Sequence, residues 1–195
     1  MGLYIDIHTH SPSADYPTPT SAGIHPWQAA SGIIDEAAMR SADLIGEIGL
    51  DYACSVDRVA QEHIFRYQLS LAQRYGKPVV LHCVRAFEPM MKILSEYELR
   101  AVIFHGFIGS VQQAERAIKR GYYLSFGEAA FRSPRTVEAL RTIPLSRLFA
   151  ETDESPLSIK TIYETIASER KTEVATLQAQ IEMNYNEIFL QHNDR

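Results

Sequence analysis

Cysteine is scarce: Cys54 and Cys83 are the two in 195 residues, too few for a disulfide framework, so a reducing, cytoplasmic setting is expected. Positive charge is also short. The 19 Lys and Arg against 24 Asp and Glu leave a net charge of −5, which argues against a protein that grips nucleic acid by a broad basic surface. A phosphate-reading site stays open, because bound divalent ions reverse the local charge. No apolar run approaches the roughly 20 residues that span a bilayer, and no basic leader with an apolar stretch marks a signal peptide. No membrane association is expected. A Gly-rich phosphate loop, a GxSxG elbow, a CxxC pair and an HExxH helix are all missing, which leaves P-loop nucleotide hydrolysis and nucleophilic-serine chemistry nothing to build on.

What is present is an ordinary globular composition, 46% hydrophobic and 22% charged, of a length that suits one domain over residues 1–195. Short β-rich runs alternate with helical patterns. The strand candidates are Leu3–Ile7, Ser21–Ile24, Leu44–Ile48, Pro78–His82, Val102–His105, Tyr122–Phe126 and Arg147–Glu151, each an apolar run bounded by Gly, Pro or polar residues. Val59–Tyr75 places Phe65, Leu69 and Ala72 at helical spacing, and Ser110 caps a helix running to Lys119. Two more helical segments close the chain, around Ile159–Ala167 and Glu173–Leu190. Such alternation implies an α/β fold with a parallel sheet, open or closed. Seven strands fall one short of a complete barrel. The Pro/Ser-rich stretch from His10 to Gly23 has room for little more than a loop, so the expectation is a TIM-like (β/α) barrel, incomplete or seven-stranded.

Histidines and carboxylates gather at the expected strand ends. His8 and His10 follow the first strand; two apart, they offer two imidazoles to one side, although an HxH pair alone also occurs as simple packing. Glu47, in GEIGLDY, needs a cation or several donors if buried, a structural salt bridge being the alternative. His82 ends VVLH, His105 ends VIFH, and Asp153 follows RLFAET. Either histidine singly would more often be a satisfied core residue. Together the six fall at the carboxyl ends of five strands, where barrel enzymes place their chemistry. The set suits a pair of divalent ions bridged by a carboxylate, about 3.5–4 Å apart, with Asp153 as base, ligand or both.

The order DIHTH, GIHP, GEIGLDY, VVLHC, FHGFIGS and ETDES resembles the TatD family of metal-dependent deoxyribonucleases, among the amidohydrolase-like barrels. The resemblance runs from Ile5 to about Phe189, and NYNEIF is similar to that family's closing N-x-x-x-[LI]-F segment. It implies one metal on His8, His10, Glu47 and Asp153, and a second on Glu47, His82 and His105. It also implies phosphodiester hydrolysis, typically of DNA from an end. Asp153 and Glu47 are then the catalytic residues, with DNA or a small phosphoester as substrate and no stable protein partner. The sequence departs from the pattern in places. The loop after His10 is short, the usual H-x-R reads HCVRAF and moves the basic residue to Arg85, and TDES-P carries Glu154 before Ser155.

Arg85 is a candidate for bidentate contact with a phosphate, or else forms a surface salt bridge at a helix start. His25, in GIHPW, is a candidate for a phosphate or leaving group, or else a loop histidine bonded to backbone. Asp51 and Tyr52 either line the pocket or orient ligands. Trp27 either stacks on a base or packs. Cys83 should face away from His82, and His63 and His192 carry no assigned role. The metal, Zn, Mn or Mg among others, is set by supply. Alternatives are a metal-dependent amidohydrolase, a phosphatase, or a non-catalytic binding protein on the same fold. Lys77 precedes its strand, so the carboxylated lysine that bridges metals in many amidohydrolases has no counterpart at the carboxyl end.

Overall fold

The computed structural model describes residues 2–190; His192 lies outside them. The chain divides into two compact units, one formed by Pro19–Phe104, the other by Met1–Thr18 together with His105–Arg195.

The Pro19–Phe104 unit runs β1 (Ser21–Ala22), α1 (Glu36–Ser41), β2 (Leu44–Asp51), α2 (Arg58–Tyr75), β3 (Val79–Val84), α3 (Phe87–Leu94) and β4 (Val102–Phe104). Its strands pair in sequence order, all parallel, as the alternation predicts. β2 reaches three residues past the expected Ile48, and the reason lies in its glycines. A Cβ on Gly46 would meet Val80 Cγ1 at 2.1 Å, and one on Gly49, at φ +145°, would meet the His82 carbonyl oxygen at 2.1 Å. A side chain at either position would collide with β3, so glycine lets GEIG continue the strand where a stop is expected. Between the pairs Ile45–Val79 and Ile48–Leu81, β2 carries one residue more than β3, a bulge at Gly46–Glu47. Glu47 is the one residue of β2 that is not fully buried.

Helix α2 holds this unit together. Asp57 caps it by accepting from Ala60 N, and Gly76 ends it in the left-handed conformation. Phe65, Leu69 and Ala72 are wholly buried, as their spacing predicts; truncating a phenylalanine in such a place costs about 3–5 kcal/mol. Two buried glutamines share that inner face. Gln68 accepts from Ile24 N at 2.6 Å and donates to Ile24 O at 3.1 Å. Gln61 accepts from Asp51 N at 2.7 Å and donates to Asp51 O at 2.9 Å. Each side chain thus completes the backbone hydrogen bonding of a residue where a strand gives out.

The second unit contains α4 (Val111–Lys119), β5 (Tyr123–Phe126), α5 (Glu128–Phe131), α6 (Pro134–Thr142), β6 (Leu148–Ala150), α7 (Ile159–Arg170) and α8 (Val174–Phe189). Ser110 and Gln113 form a reciprocal capping box at the start of α4. β5 and β6 pair in parallel. The expected strand Leu3–Ile7 does not form. Its backbone is satisfied elsewhere: the Tyr163 hydroxyl takes both polar groups of Ile5 at 3.0 Å, and Asp6 N donates to Pro17 O at 3.0 Å. Only Ile7 N reaches the neighbouring strand, at Ala150 O, before a single parallel bridge joins Thr9 to Asp153. Among the described residues there are six strands, not seven. No described helix is long and apolar enough to cross a membrane.

Candidate functional site

In the second unit, the bridge to Asp153 sets the geometry of the first histidine pair. Asp153 N donates to His8 O at 3.0 Å and His10 N donates to Asp153 O at 3.2 Å. Asp153 has φ +54°, a strained conformation for a residue with a side chain and one that clusters at functional sites. Its Oδ1 lies 3.7 Å from His8 Nε2 and 3.4 Å from His10 Nε2. His8 is buried and His10 exposed, so the cluster opens to solvent on one side. The His8 ring centroid is 4.4 Å from that of His105, whose Nδ1 lies 3.4 Å from Glu151 Oε1.

Glu151 went unassigned in the sequence reading although the motif ETDES contains it. It is 1% exposed and accepts from Gly106 N at 2.6 Å. Burial works to raise its pKa, but His105 and His8 beside it outweigh that and hold it below the usual carboxylate range. The available signal was its spacing: Glu151 and Asp153 are two apart just past β6, like His8 and His10. Donor atoms of His105, Glu151 and Asp153, and likewise of His8, His10 and Asp153, lie within 4.8 Å of one another. Asp153 belongs to both groups. Behind them Asp6 accepts from Thr152 N and Oγ1 at 3.0 and 2.6 Å, and burial pushes its pKa up to about 6. A cleft of about 220 Å³ opens beside Asp153, its lining including Thr9, Ser11, Ser13 and Tyr16.

In the Pro19–Phe104 unit, Glu47 Oε1 sits 2.8 Å from His82 Nδ1 and 3.2 Å from His25 Nε2. The other His82 nitrogen, Nε2, is 3.1 Å from Asp51 Oδ2. His82 therefore has a carboxylate at each ring nitrogen. A neutral imidazole carries one N–H and satisfies one of them; the other contact requires a second proton or a cation. Glu47 and His82 would hold a divalent ion that meets that requirement, with Asp51 orienting the ring through its other nitrogen, as in carboxylate–histidine–metal arrangements. The residues present fit the group.

His25 reads differently. It caps a 3₁₀ turn (Pro26–Gln28), and its Nδ1 accepts from Trp27 N at 3.2 Å. A neutral ring that accepts at Nδ1 carries its proton on Nε2, so His25 presents a donor toward Glu47 Oε1. Although its nitrogen falls within ligand range of Glu47 and His82, that tautomer suits an anionic oxygen better than a metal.

Asp51 is the orienting residue here. Burial opposes its ionisation, but the indole N–H of Trp27, the amide of Ala53 and His82 together hold its pKa below the usual range. Tyr52 turns away, its hydroxyl on Glu62 and its ring under Arg58. Cys83 joins no donor group, and burial pushes its thiol up to about 12. His63 is exposed on α2. Arg85 is exposed with φ +51°, between β3 and α3, and forms no ion pair among the described residues; the surface salt bridge considered for it is absent.

Residues 9–190 match the family model of TatD-related DNases. The chain belongs to the TatD family. A TATDN1 homologue of Encephalitozoon cuniculi is 34% identical over 155 residues, covering 76% of this chain and 55% of that protein. A protein of Cronobacter sakazakii named 3'-5' ssDNA/RNA exonuclease TatD is 30% identical over 204 residues, covering 89% and 77%. The chain spans about half the length of the E. cuniculi relative, and of a TATDN1 homologue of Vairimorpha ceranae. The crystal structure of YjjV, a TatD homologue of Escherichia coli, superposes with a TM-score of 0.80 at 25% identity, over 89% of this chain and 77% of that one. A TatD-family hydrolase of Entamoeba histolytica gives 0.79 at 19% identity, over 90% and 76%. The chain shares the α/β fold of these TatD structures.

Proposed function

We propose that this TatD protein is a divalent-metal-dependent phosphodiesterase that removes nucleotides from nucleic acid ends. The observation that carries this reading is His82 standing between Glu47 and Asp51, a ring with a carboxylate at each nitrogen, an arrangement that a bound cation would satisfy. The name of the C. sakazakii relative supports the substrate class.

In this proposal His8, His10 and Asp153 hold one ion and His82 and His105 the other, with Glu47 shared between them as the family's motif order implies. The ions, when bound, draw down the pKa of water and offset charge on phosphoryl oxygens. Asp153 takes the proton of the attacking water. Its strained backbone and its place in two donor groups support a role beyond packing. His25 Nε2–H donates to a phosphate oxygen, and the unpaired guanidinium of Arg85 binds a second phosphate. Glu151 orients His105 from behind, as Asp51 does His82. The whole chain acts as a single domain, in the cytoplasm, with Mn, Mg or Zn as the metal.

The test is hydrolysis of a chromogenic phosphodiester by metal-stripped protein, with and without Mn²⁺, Mg²⁺ or Zn²⁺. Metal-dependent turnover that disappears in Glu47→Gln is the expected result. Turnover of a monoester without the diester would instead favour a phosphatase, and no turnover with any metal would overturn the proposal.

A further inference from the structure

Trp27 is the chain's single tryptophan and is 60% exposed. An exposed indole ordinarily turns freely, but this one is fastened at its edge. Its Nε1 donates at 2.7 Å to Asp51 Oδ2, on a carboxylate that is 4% exposed and also accepts from the amides of Ala53 and Cys54. The same oxygen lies 3.1 Å from His82 Nε2. One atom therefore fixes both the indole and the candidate ligand ring. The ring of Trp27 stands nearly perpendicular to those of His25 and His82, with centroids 4.6 and 6.0 Å away. Packing does not account for a side chain so uncovered. Its edge is held while most of its surface stays exposed.

We propose that Trp27 is a stacking platform for a nucleobase, placed beside the Glu47–His82–His25 cluster; as the name for that cluster's substrate class, it rests on the hydrolase reading. The charge balance of the chain points the same way. At −5 overall the charge argues against a broad basic surface, which leaves more of the grip to contacts with the bases. Base stacking on an aromatic face supplies it, tolerates any sequence, and needs a base that is not already stacked in a duplex. The occupant is therefore an unpaired nucleotide of a single-stranded end. Trp27 binds and positions; it takes no part in bond cleavage.

A single tryptophan makes the test direct. The full chain in Mg²⁺ is titrated with a short single-stranded oligothymidylate with phosphorothioate linkages, and with an abasic sugar–phosphate chain of the same length. Tryptophan fluorescence and anisotropy of a labelled oligonucleotide are read together. The expected result is quenching by the base-bearing chain alone and binding about tenfold or more tighter than the abasic chain. Trp27→Ala should erase that difference. Trp27→Phe, which keeps an aromatic face but lacks the N–H to Asp51, should retain most of it. Equal binding of the two chains by the unaltered protein would overturn the platform. So would a Trp27→Ala variant that weakens both chains equally, because that marks a role exerted through Asp51. Turnover of a chromogenic diester is scored separately: base-dependent quenching without turnover would sink the hydrolase reading and spare the platform, and turnover without base preference would do the reverse.

Discussion

The two units hold their chemical groups in contrasting ways. In Pro19–Phe104 the key side chains stand within paired strands, Glu47 at the bulge of β2 and His82 in β3, with a buried helix glutamine fixing Asp51. In the other unit His8, His10, His105, Glu151 and Asp153 all lie outside strands, positioned by one bridge, a left-handed aspartate and a buried glutamate. The first arrangement is built on a ladder, the second on a few individual hydrogen bonds. A ladder distributes the loss of one contact over many others. The second arrangement does not, so substitutions should perturb its geometry as well as its chemistry.

The sharpest break comes at Glu47. Glu47→Gln should lower metal-dependent turnover by more than about a hundredfold and reduce bound metal, with the melting temperature of the metal-free protein little changed, because its strand is held by neighbours. Metal content by mass spectrometry together with turnover checks this; full metal retention would remove Glu47 from the ligand set. Asp153→Asn comes next. As general base its loss should cost about 10²–10⁴-fold in kcat while metal is at least partly retained. Diester hydrolysis at the normal rate would end that assignment. Asp51→Asn should weaken metal affinity by roughly 10–100-fold, and more than it weakens folding. A competition titration against a chelator measures it, and an unchanged affinity would leave Asp51 a purely structural residue. Gln68→Ala should act least on turnover per folded molecule. It leaves the buried amide and carbonyl of Ile24 unsatisfied, at about 1–3 kcal/mol each, so urea denaturation should register it while kcat moves only a few fold.

Most of the candidate site was legible because strand ends announce themselves: an apolar run, then a histidine or an acid. VVLH and VIFH are read this way, and the structure puts His82 on β3 and His105 next after β4. Glu151 was hidden by its own neighbour, since Asp153 already supplied an acid at that strand end, although a spacing of two along an extended chain puts both on one side. The overcalled strand at Leu3–Ile7 fails for a different reason. Its apolar pattern is right, with Ile5 and Ile7 buried, but a tyrosine hydroxyl 158 residues away takes the backbone groups of Ile5. Sequence pattern reports which face is buried and not which partner satisfies the main chain. The helix start beside Arg85 is there as α3, with Pro89 at its third position, where a proline is tolerated. The role of Gln61 and Gln68 was equally invisible, since a buried polar side chain looks like an exposed one until its partner is known.

Those two glutamines have a consequence for how this chain can vary. They are seven residues apart, nearly two full turns of helix, and each fastens a separate strand end. An insertion or deletion of one residue between them would swing one of the pair about 100° around the helix, away from its strand. The stretch thus works as a ruler. Exposed His63 can be exchanged for almost anything, yet the number of residues between the two marks cannot change.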